Sequence, residues 1–535
     1  MGHIAIEGHA RRGHLSPVHV RMRGQALERA GDLAGALEAY EAALQAAPED
    51  VQTLSALASL AHRMQMPQAA ERLWSEVGRL DPARLDAVDG RARALREMGA
   101  FEASINLLRE ALLANRDDAR LWNSLGVTLM QDSQPAAAIT FLDEAARLDP
   151  RYAQAVYNRG SARFDLGDLE AAAKDFATAR KLAKKPEHAA MIDFAAATLA
   201  LARGELAAGW AGYETRLSRH WADAPVFEAP GRRWLPGAPL AGRHLLAVAE
   251  QGLGDEIMFA NLVPDLIEAL GPQGQLSLAV EPRLVALFQR SFPAAAVSAH
   301  ATDKAGPRPR RSAPGLDHAR PADLWAPLGS LPRQFRTRIG DFPAGRGGYL
   351  KPDPARVAHW RQWLQALGDG APAVGVSWRS GKVFGDRRRQ YPPRDLWAPL
   401  LRTPGVRFVN LQYGDCDAEL AAFRAQGCEV AEPPGLDLKD DIDELAALLS
   451  ALDLVVCAAN ATAALAGACG GPLALIGAPA AWPKLGTDAY PWYPQARALT
   501  APAFGDWDGV MEAAQGLVAG LVSIAHPGES RDERR

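Results

Sequence analysis

Cysteine is scarce, with four residues in 535, at Cys416, Cys428, Cys457 and Cys469. None sits in a CxxC pair or beside a histidine at the spacing zinc needs, so neither a zinc site nor a disulfide framework is expected and the four read as reduced core thiols. An excess of one charge is missing too. Fifty-nine Lys and Arg against 63 Asp and Glu leave a formal net charge of -4, which gives no global attraction to nucleic acid or to an anionic membrane. No uninterrupted apolar run is long enough to span a bilayer. The opening MGHIAIEGHARRGHLSP has no apolar stretch of the kind a secretory signal carries. These two absences make the cytoplasm the expected compartment, and Asn460-Ala461-Thr462, formally a glycosylation sequon, then reads as structural.

What is present first is a period. Pro48, Pro82 and Pro150 fall in one register with a spacing of 34, and Arg116 takes the intervening place. That spacing is the mark of stacked tetratricopeptide repeats. A small residue recurs as Ala36, Ala70, Ser104, Ala138 and Ala172, and a large apolar one as Tyr40, Trp74, Leu108, Leu142 and Phe176. Small residues let paired helices approach closely. Gly24, Gly126 and Gly160 hold the first-helix slot, with Ala58 and Ala92 in its place in the other two repeats. Gly31, Gly99 and Gly167 supply helix stops. The pattern predicts about five repeats over 16–185, whose concave groove would hold a protein partner. The plainer alternative is an array that only orients or dimerises the chain.

The length calls for about three or four domains. Residues 186–240 read as a capping helix and a proline-rich linker, because a solenoid needs a polar end. A different pattern then begins. The apolar run His244–Ala249 meets Glu250-Gln251-Gly252-Leu253-Gly254-Asp255, after which Ile257, Phe259, Leu262 and Leu266 recur at helical spacing. This is strand, glycine loop, helix, with Asp255 expected as the helix cap. Ile257 replaces the third glycine of a dinucleotide fingerprint, so a nicotinamide enzyme is rejected. Strands are expected at 276–280 and near Val297, and a mobile loop at 301–322, which is rich in Pro, Arg and Gly.

A second α/β unit starts near Ala373. The run Val374–Trp378 reads as a buried strand ending in Arg379-Ser380-Gly381-Lys382. Val406–Leu411 follows, ending in Gln412-Tyr413-Gly414. Leu454–Ala458 leads to Asn460 and a small-residue helix through Cys469. Alternation of this kind makes a parallel sheet, and ligands gather at the carboxyl ends of its strands. Two such units facing across a cleft, with a final helix over 507–524 packed back on the first, describe the architecture of many nucleotide-sugar transferases.

Resemblance adds to this. EQGLGDEIMF from Glu250, RLVALFQRSFP from Arg283, VSWRSGK from Val376, LQYGD from Leu411, ALDLVV from Ala451, ALAGACGGP from Ala464 and PWYP from Pro491 together resemble the bacterial tetratricopeptide-repeat glycosyltransferases. Their catalytic half is similar to the heptosyltransferase family of the GT-B superfamily. The resemblance implies a helical solenoid followed by a GT-B fold of two Rossmann-like domains, at 241–365 and 370–505, then a helix over 506–526 and a disordered tail over 527–535. The subtype carrying WRSGK and LQYGD resembles flagellin glycosyltransferases, in which the repeats hold flagellin and a nonulosonic acid moves from a CMP donor to Ser or Thr. Where heptosyltransferases carry Asp-Thr and a later His, this chain has Ala459-Asn460 and Ala464. That departure tells against an ADP-heptose donor and a lipopolysaccharide acceptor.

The resemblance implies no metal and no cofactor beyond the nucleotide sugar. Protein cations and helix N-termini would hold the leaving phosphate. Lys382 and Arg379 are the candidate phosphate contacts, with Ser380 and Gly381 supplying hydrogen bonds from the same turn and Gly252 and Gly254 letting the donor approach the backbone. Solvated loop charges are the alternative for the two cations. Asn460 and Thr462 are candidates for phosphate or sugar, or a plain helix cap, and Gln412 and Tyr413 for the base, or core packing. Asp255 is the candidate base for the acceptor hydroxyl, by resemblance to the loop aspartate of heptosyltransferases, and Glu250 is the second. Asp415 and Asp417 form a DxD that reads as a solvated loop, and Arg387–Arg389 reads as a surface cluster, with guidance of an anionic donor as the alternative.

Overall fold

The computed structural model describes residues 16–525 except 222–223, 251, 306–307, 317–320, 346, 369 and 382–388. The chain falls into two compact units, one ending at Thr128 and one starting at Leu129. The first unit is helical: α1 (Pro17–Ala30) with α2 (Leu33–Ala46), α3 (Val51–Arg63) with α4 (Pro67–Leu80), α5 (Leu85–Glu97) with α6 (Phe101–Ala114), and then the start of α7 (Ala119–Gln131). The 34-residue slots behave as packing demands. A Cβ on Gly24 would stand 2.6 Å from the Tyr40 ring, so only glycine lets α1 meet α2 here. Gly31 ends α1 at φ 88°, and Gln65 takes the same left-handed position in the next repeat at φ 58° without glycine's freedom. Adjacent repeats are also locked by polar contacts. His62 meets Glu97 at 2.8 Å and accepts from the Trp74 indole at 3.2 Å.

In the second unit the repeat pattern continues through α8 (Pro135–Leu148), α9 (Ala153–Asp165) and α10 (Leu169–Leu182) into α11 (Pro186–Ala202) and α12 (Leu206–Tyr213). Phe176 and Ala179 of α10 share a buried cluster with Ile192 and Leu199 of α11, so the array is capped by burial of its last apolar face. The stretch after the cap is no linker. It supplies β1 (Val226–Glu228) and β2 (Arg232–Arg233) to two sheets, and Trp210 of α12 donates its indole N–H to the Arg336 carbonyl at 2.8 Å. Trp210 also packs edge-on against Phe259, Trp482 and Trp492.

The first α/β half contains β3 (His244–Val248), α13 (Leu253–Phe259), α14 (Val263–Leu270), β4 (Gln275–Val280), α15 (Val285–Ser291), β5 (Ala295–Ala299), β6 (Ala301–Asp303), β7 (Arg310–Ser312), β8 (Leu324–Pro327) and α16 (Pro332–Phe335), and α17 (Pro354–Ala366), next in the chain, packs on the second half, where Trp360 donates to Glu444 at 2.7 Å. Its main sheet runs β2-β8-β3-β4-β5, all parallel. The segment expected to be a mobile loop over 301–322 instead pairs β6 with β7 antiparallel, and β7 with β1 parallel. Phe227, Ala313, Leu316 and Trp325 pack there against buried Leu246 and Val248, which is why a Pro- and Arg-rich stretch is held in place.

The second half contains β9 (Ala373–Ser377), α18 (Trp397–Leu401), β10 (Arg407–Asn410), α19 (Asp417–Ala425), β11 (Val430–Ala431), α20 (Ile442–Ala451), β12 (Leu454–Ala458), α21 (Ala461–Cys469), β13 (Leu473–Gly477), β14 (Ala496–Thr500) and α22 (Asp508–Ala525). Its parallel sheet runs β11-β10-β9-β12-β13-β14. Helix α22 does not return to the first half, because Val510, Met511, Ala514 and Val518 bury against Trp397, Leu400 and Leu401 of the second. Cys416, Cys428 and Cys457 are buried free thiols and Cys469 is half-buried, and burial pushes all four up in pKa. Among the described residues no helix is long and apolar enough to cross a membrane.

Candidate functional site

The strand ends of both sheets converge where α13 and α21 begin. A Cβ placed on Gly254 would lie 3.5 Å from the Ala461 Cα, so the two helix starts touch through backbone. Gly252, not Asp255, is the N-cap of α13. Asp255 stands in the first turn with its backbone N–H on the Gly252 carbonyl. It is half-buried. The phenols of Tyr213 and Tyr493 are both pushed up, chiefly by burial, and the Asp255 charge adds to each shift. The aspartate therefore shares its surroundings with the cap of the repeat array and with the segment following β13.

Glu250 is placed quite differently. Its carboxylate is 2% exposed and accepts from Arg216 Nε at 3.1 Å and NH2 at 2.7 Å, with the Gly329 amide at 3.4 Å. The Arg216 guanidinium lies over the Tyr213 ring at 4.7 Å and also reaches Ser330 Oγ at 3.1 Å. A carboxylate so enclosed cannot meet an acceptor hydroxyl. It ties the cap to the end of β3.

In the second half the polar residues of the strand ends bind one another. Gln412 is 1% exposed, and its Oε1 accepts from the backbone amides of Trp378 at 3.0 Å and Arg379 at 2.9 Å and from Ser377 Oγ at 3.3 Å. It is thus a brace for the turn after β9 rather than a wall for a base. The Arg379 fork is occupied by Glu419, with Nε at 2.8 Å from Oε1 and NH2 on Oε2, and NH2 also donates to the Asp415 carbonyl at 2.8 Å. Those hydrogen bonds to Glu419 raise the guanidinium pKa further. Asn460 caps α21 through Ala463 N at 3.1 Å, while its Nδ2 donates to Ser377 Oγ at 3.0 Å and the Arg379 carbonyl at 3.1 Å. Thr462 is buried in the first turn of that helix.

Ser380 and Gly381 form the outer part of the turn. Tyr413 donates to Ser380 Oγ at 3.2 Å, and a Cβ on Gly381 would meet the Tyr413 ring at 2.9 Å. Lys382 lies outside the described residues, as do Arg387 and Arg388 and the tail over 527–535. Arg389 is not a surface charge. Its side chain is 7% exposed, pairs with Asp165 of α9 at 2.5 Å and lies over the Phe504 ring at 4.4 Å.

Sequence reasoning missed Glu419, Ser377 and Arg216, which carry these braces, because no spacing in the chain marks their partners. It also missed a buried group beside Asp255. Glu256, 2% exposed, accepts from the Glu281 amide at 2.9 Å and lies 3.2 Å from His300 Nε2, and Arg311 donates to the same His300 nitrogen at 2.7 Å. Burial pushes the Glu256 carboxyl above its ordinary range. A cavity of about 570 Å³ opens elsewhere, between Asn261, Phe292, Tyr349, Trp492 and Gln495, and none of the sequence-predicted site residues lines it. Among the described residues no group of three or more His, Cys, Asp or Glu side chains gathers as a metal site would.

Residues 18–60, 90–153 and 153–186 match the tetratricopeptide repeat family. Over 487 residues the chain is 45% identical to Protein FlbA of Caulobacter vibrioides, a match that covers 91% of this chain and 81% of FlbA. It is 26% identical over 137 residues to BBSome complex member bbs-4 of Caenorhabditis elegans, covering 26% of this chain and 30% of that protein. Among solved structures, a thermophilic tetratricopeptide-repeat protein of Thermus thermophilus is 20% identical, with 35% of this chain and 100% of that chain covered and a TM-score of 0.31.

Proposed function

We propose, for a chain that belongs to the family of Protein FlbA, that it is a protein O-glycosyltransferase with a GT-B catalytic half. Its repeats hold a protein acceptor, with flagellin the first candidate, and its α/β half moves a sugar from a nucleotide donor, a CMP-linked nonulosonic acid first among them, to Ser or Thr. The observation that carries this reading is the meeting of Gly252–Asp255 with the start of α21 at the carboxyl ends of two parallel sheets.

The chemistry would run as follows. The acceptor hydroxyl passes its proton to the Asp255 carboxylate as its oxygen bonds to the anomeric carbon, and the bond from that carbon to the donor phosphate breaks. The start of α21 and the Ser380-Gly381 turn face the leaving phosphate, whose negative charge a helix N-terminus favours. Arg379, Gln412 and Asn460 keep that turn in shape.

A second reading is favoured by the same saturation. With Arg379, Gln412 and Asn460 bound internally, the α/β half serves as a scaffold and the repeats alone carry the activity. A glycan or lipopolysaccharide transferase is the third outcome. Incubation of the purified chain with labelled CMP-, UDP- and ADP-sugars, with flagellin and other proteins, and with lipopolysaccharide separates them. Label on protein Ser or Thr is the expected result. Label on glycan alone, or none with any donor, removes the proposal.

A further inference from the structure

We propose that the cavity between the two α/β halves is a binding site for a small amphipathic carboxylate, an apolar body with one negative end. Its volume is about 570 Å³, inside the range of roughly 300–1,000 Å³ that small-molecule sites occupy, and such sites concentrate where domains meet. The first half lines it with Ile267 of α14 and with Phe292, Pro293 and Ala294 before β5. From the second come Gly467 of α21 and Trp492, Pro494 and Gln495 before β14. The segment between α16 and α17 closes it with Pro343, Tyr349 and Lys351. Because β5 and β14 start beside it, the cavity lies at the amino ends of these strands, away from the carboxyl ends where α13 and α21 begin.

Backbone contacts fix its walls. A Cβ on Gly348 would fall 2.2 Å from the Cys469 carbonyl carbon, and one on Gly467 would fall 2.5 Å from the Tyr493 ring. The Leu350 amide also donates to the Ala468 carbonyl at 3.0 Å. The joining segment and the stretch before β14 thus both lie directly on α21.

The polar groups of the lining decide what fits. Asn261 Oδ1 accepts from Arg336 NH2 at 2.7 Å, and its Nδ2 donates to the Trp492 carbonyl at 3.4 Å. Ser291 Oγ donates to the Leu287 carbonyl at 2.6 Å and accepts from the Lys351 amide at 2.8 Å. The Tyr349 hydroxyl donates to the Ile257 carbonyl at 2.7 Å, and Gln495 Nε2 to the Gly467 carbonyl at 2.6 Å. Walls whose polar atoms are already bonded offer apolar surface, and a sugar enclosed there would leave its hydroxyls unmet. One charge remains. Among the described residues Lys351 is the only charged residue of the lining; it is exposed, and no carboxylate pairs with it. An amine would therefore meet a like charge, whereas an apolar acid sets its body against Ile267, Phe292 and Pro293 and its carboxylate toward the lysine. A ligand so placed touches both halves and the segment that joins them, and stabilises the arrangement it binds. This inference does not depend on sugar transfer. Fatty acids and aromatic acids share the chemistry, and the test separates them.

Crystals of the full chain soaked in para-iodobenzoate or in ω-bromodecanoate should show anomalous halogen density between Phe292 and Pro494. Calorimetric titration with both acids and with para-iodobenzylamine should give binding of at least one acid and none of the amine. Lys351→Gln should weaken that binding about fivefold, the scale of one exposed ion pair. Ile267→Trp fills the cavity and should abolish binding. If that variant does not fold, Ala294→Trp, at an exposed position of the lining, blocks the mouth instead. Binding of iodobenzoate alone assigns the cavity to aromatic acids, of bromodecanoate alone to acyl chains, and of both to their shared chemistry. Binding of neither acid, equal binding of the amine, or unchanged affinity in Lys351→Gln or in the filled variants overturns the proposal.

Discussion

The two α/β halves treat the polar residues at their strand ends in opposite ways. In the second, Gln412, Asn460, Arg379 and Glu419 bond one another until the turn after β9 is a closed network. In the first, Glu250 is closed by Arg216, yet Arg311, His300 and Ser298 keep buried groups unmet a few residues away. A closed network sets backbone shape, whereas buried groups left unmet cost desolvation free energy. The difference teaches that a polar motif at a strand end is as apt to brace a site as to touch a ligand.

The largest effects should come from opening what is closed. Glu250→Ala leaves the Arg216 guanidinium, 5% exposed, without its main partner, and should cost about 3 kcal/mol in urea unfolding, the scale of a broken buried pair. A loss under about 1 kcal/mol would mean that Glu214, 3.0 Å from Arg216 NH1, already balances the cation. Gln412→Leu should cost about 2 kcal/mol, because the Trp378 and Arg379 amides lose their shared acceptor while buried. If that variant unfolds like the wild type, the second half is not a closed network and the comparison fails.

The repeats were legible because their determinants are local and periodic. Gly24 against Tyr40 and the left-handed stop at Gly31 follow from a spacing that the eye can count. The alternating strands and helices after His244 were legible for the same reason. What the sequence hid was long-range. Arg389 pairs with Asp165 across 224 positions, and Glu419 reaches Arg379 across 40, and no local pattern encodes either. The hairpin of β6 and β7 was hidden because its proline- and arginine-rich composition signals a loop, while the packing of half-buried Leu316 and Phe227 against Leu246 and Val248 joins residues far apart in the chain. Asp255 was misplaced by three residues at its helix start for a smaller reason: glycine and aspartate both favour caps, and Gly252 took the position.

The open half can also be tested through pH. Glu256 is held above its ordinary carboxyl range by burial, against the pull of His300, the Glu281 amide and Arg311. The folded state therefore binds its proton more tightly than the unfolded chain. This group's contribution to stability is present below the ordinary carboxyl value and is lost as pH rises through the raised folded value. Glu256→Gln removes that term, so the stability of the variant relative to the wild type should improve as pH rises through this window. Paired unfolding curves across that range measure it. Parallel curves would mean that the carboxyl is no harder to ionise in the folded chain than in the unfolded one.

The smallest effect on stability should come from Gly254→Ala, at the contact between the halves. The residue lies inside α13, where alanine is favoured over glycine by roughly 0.5–1 kcal/mol, and the new methyl would meet Ala461 at 3.5 Å, an ordinary contact. Unfolding should therefore shift by no more than about 1 kcal/mol, in either direction. If a donor phosphate passes between these helix starts, the same methyl should lower retention of labelled nucleotide sugar in a binding assay while the fold stays intact. A variant that unfolds easily would show that the glycine serves the packing of the two halves. One that is stable and binds nucleotide sugar like the wild type would move the donor away from this contact.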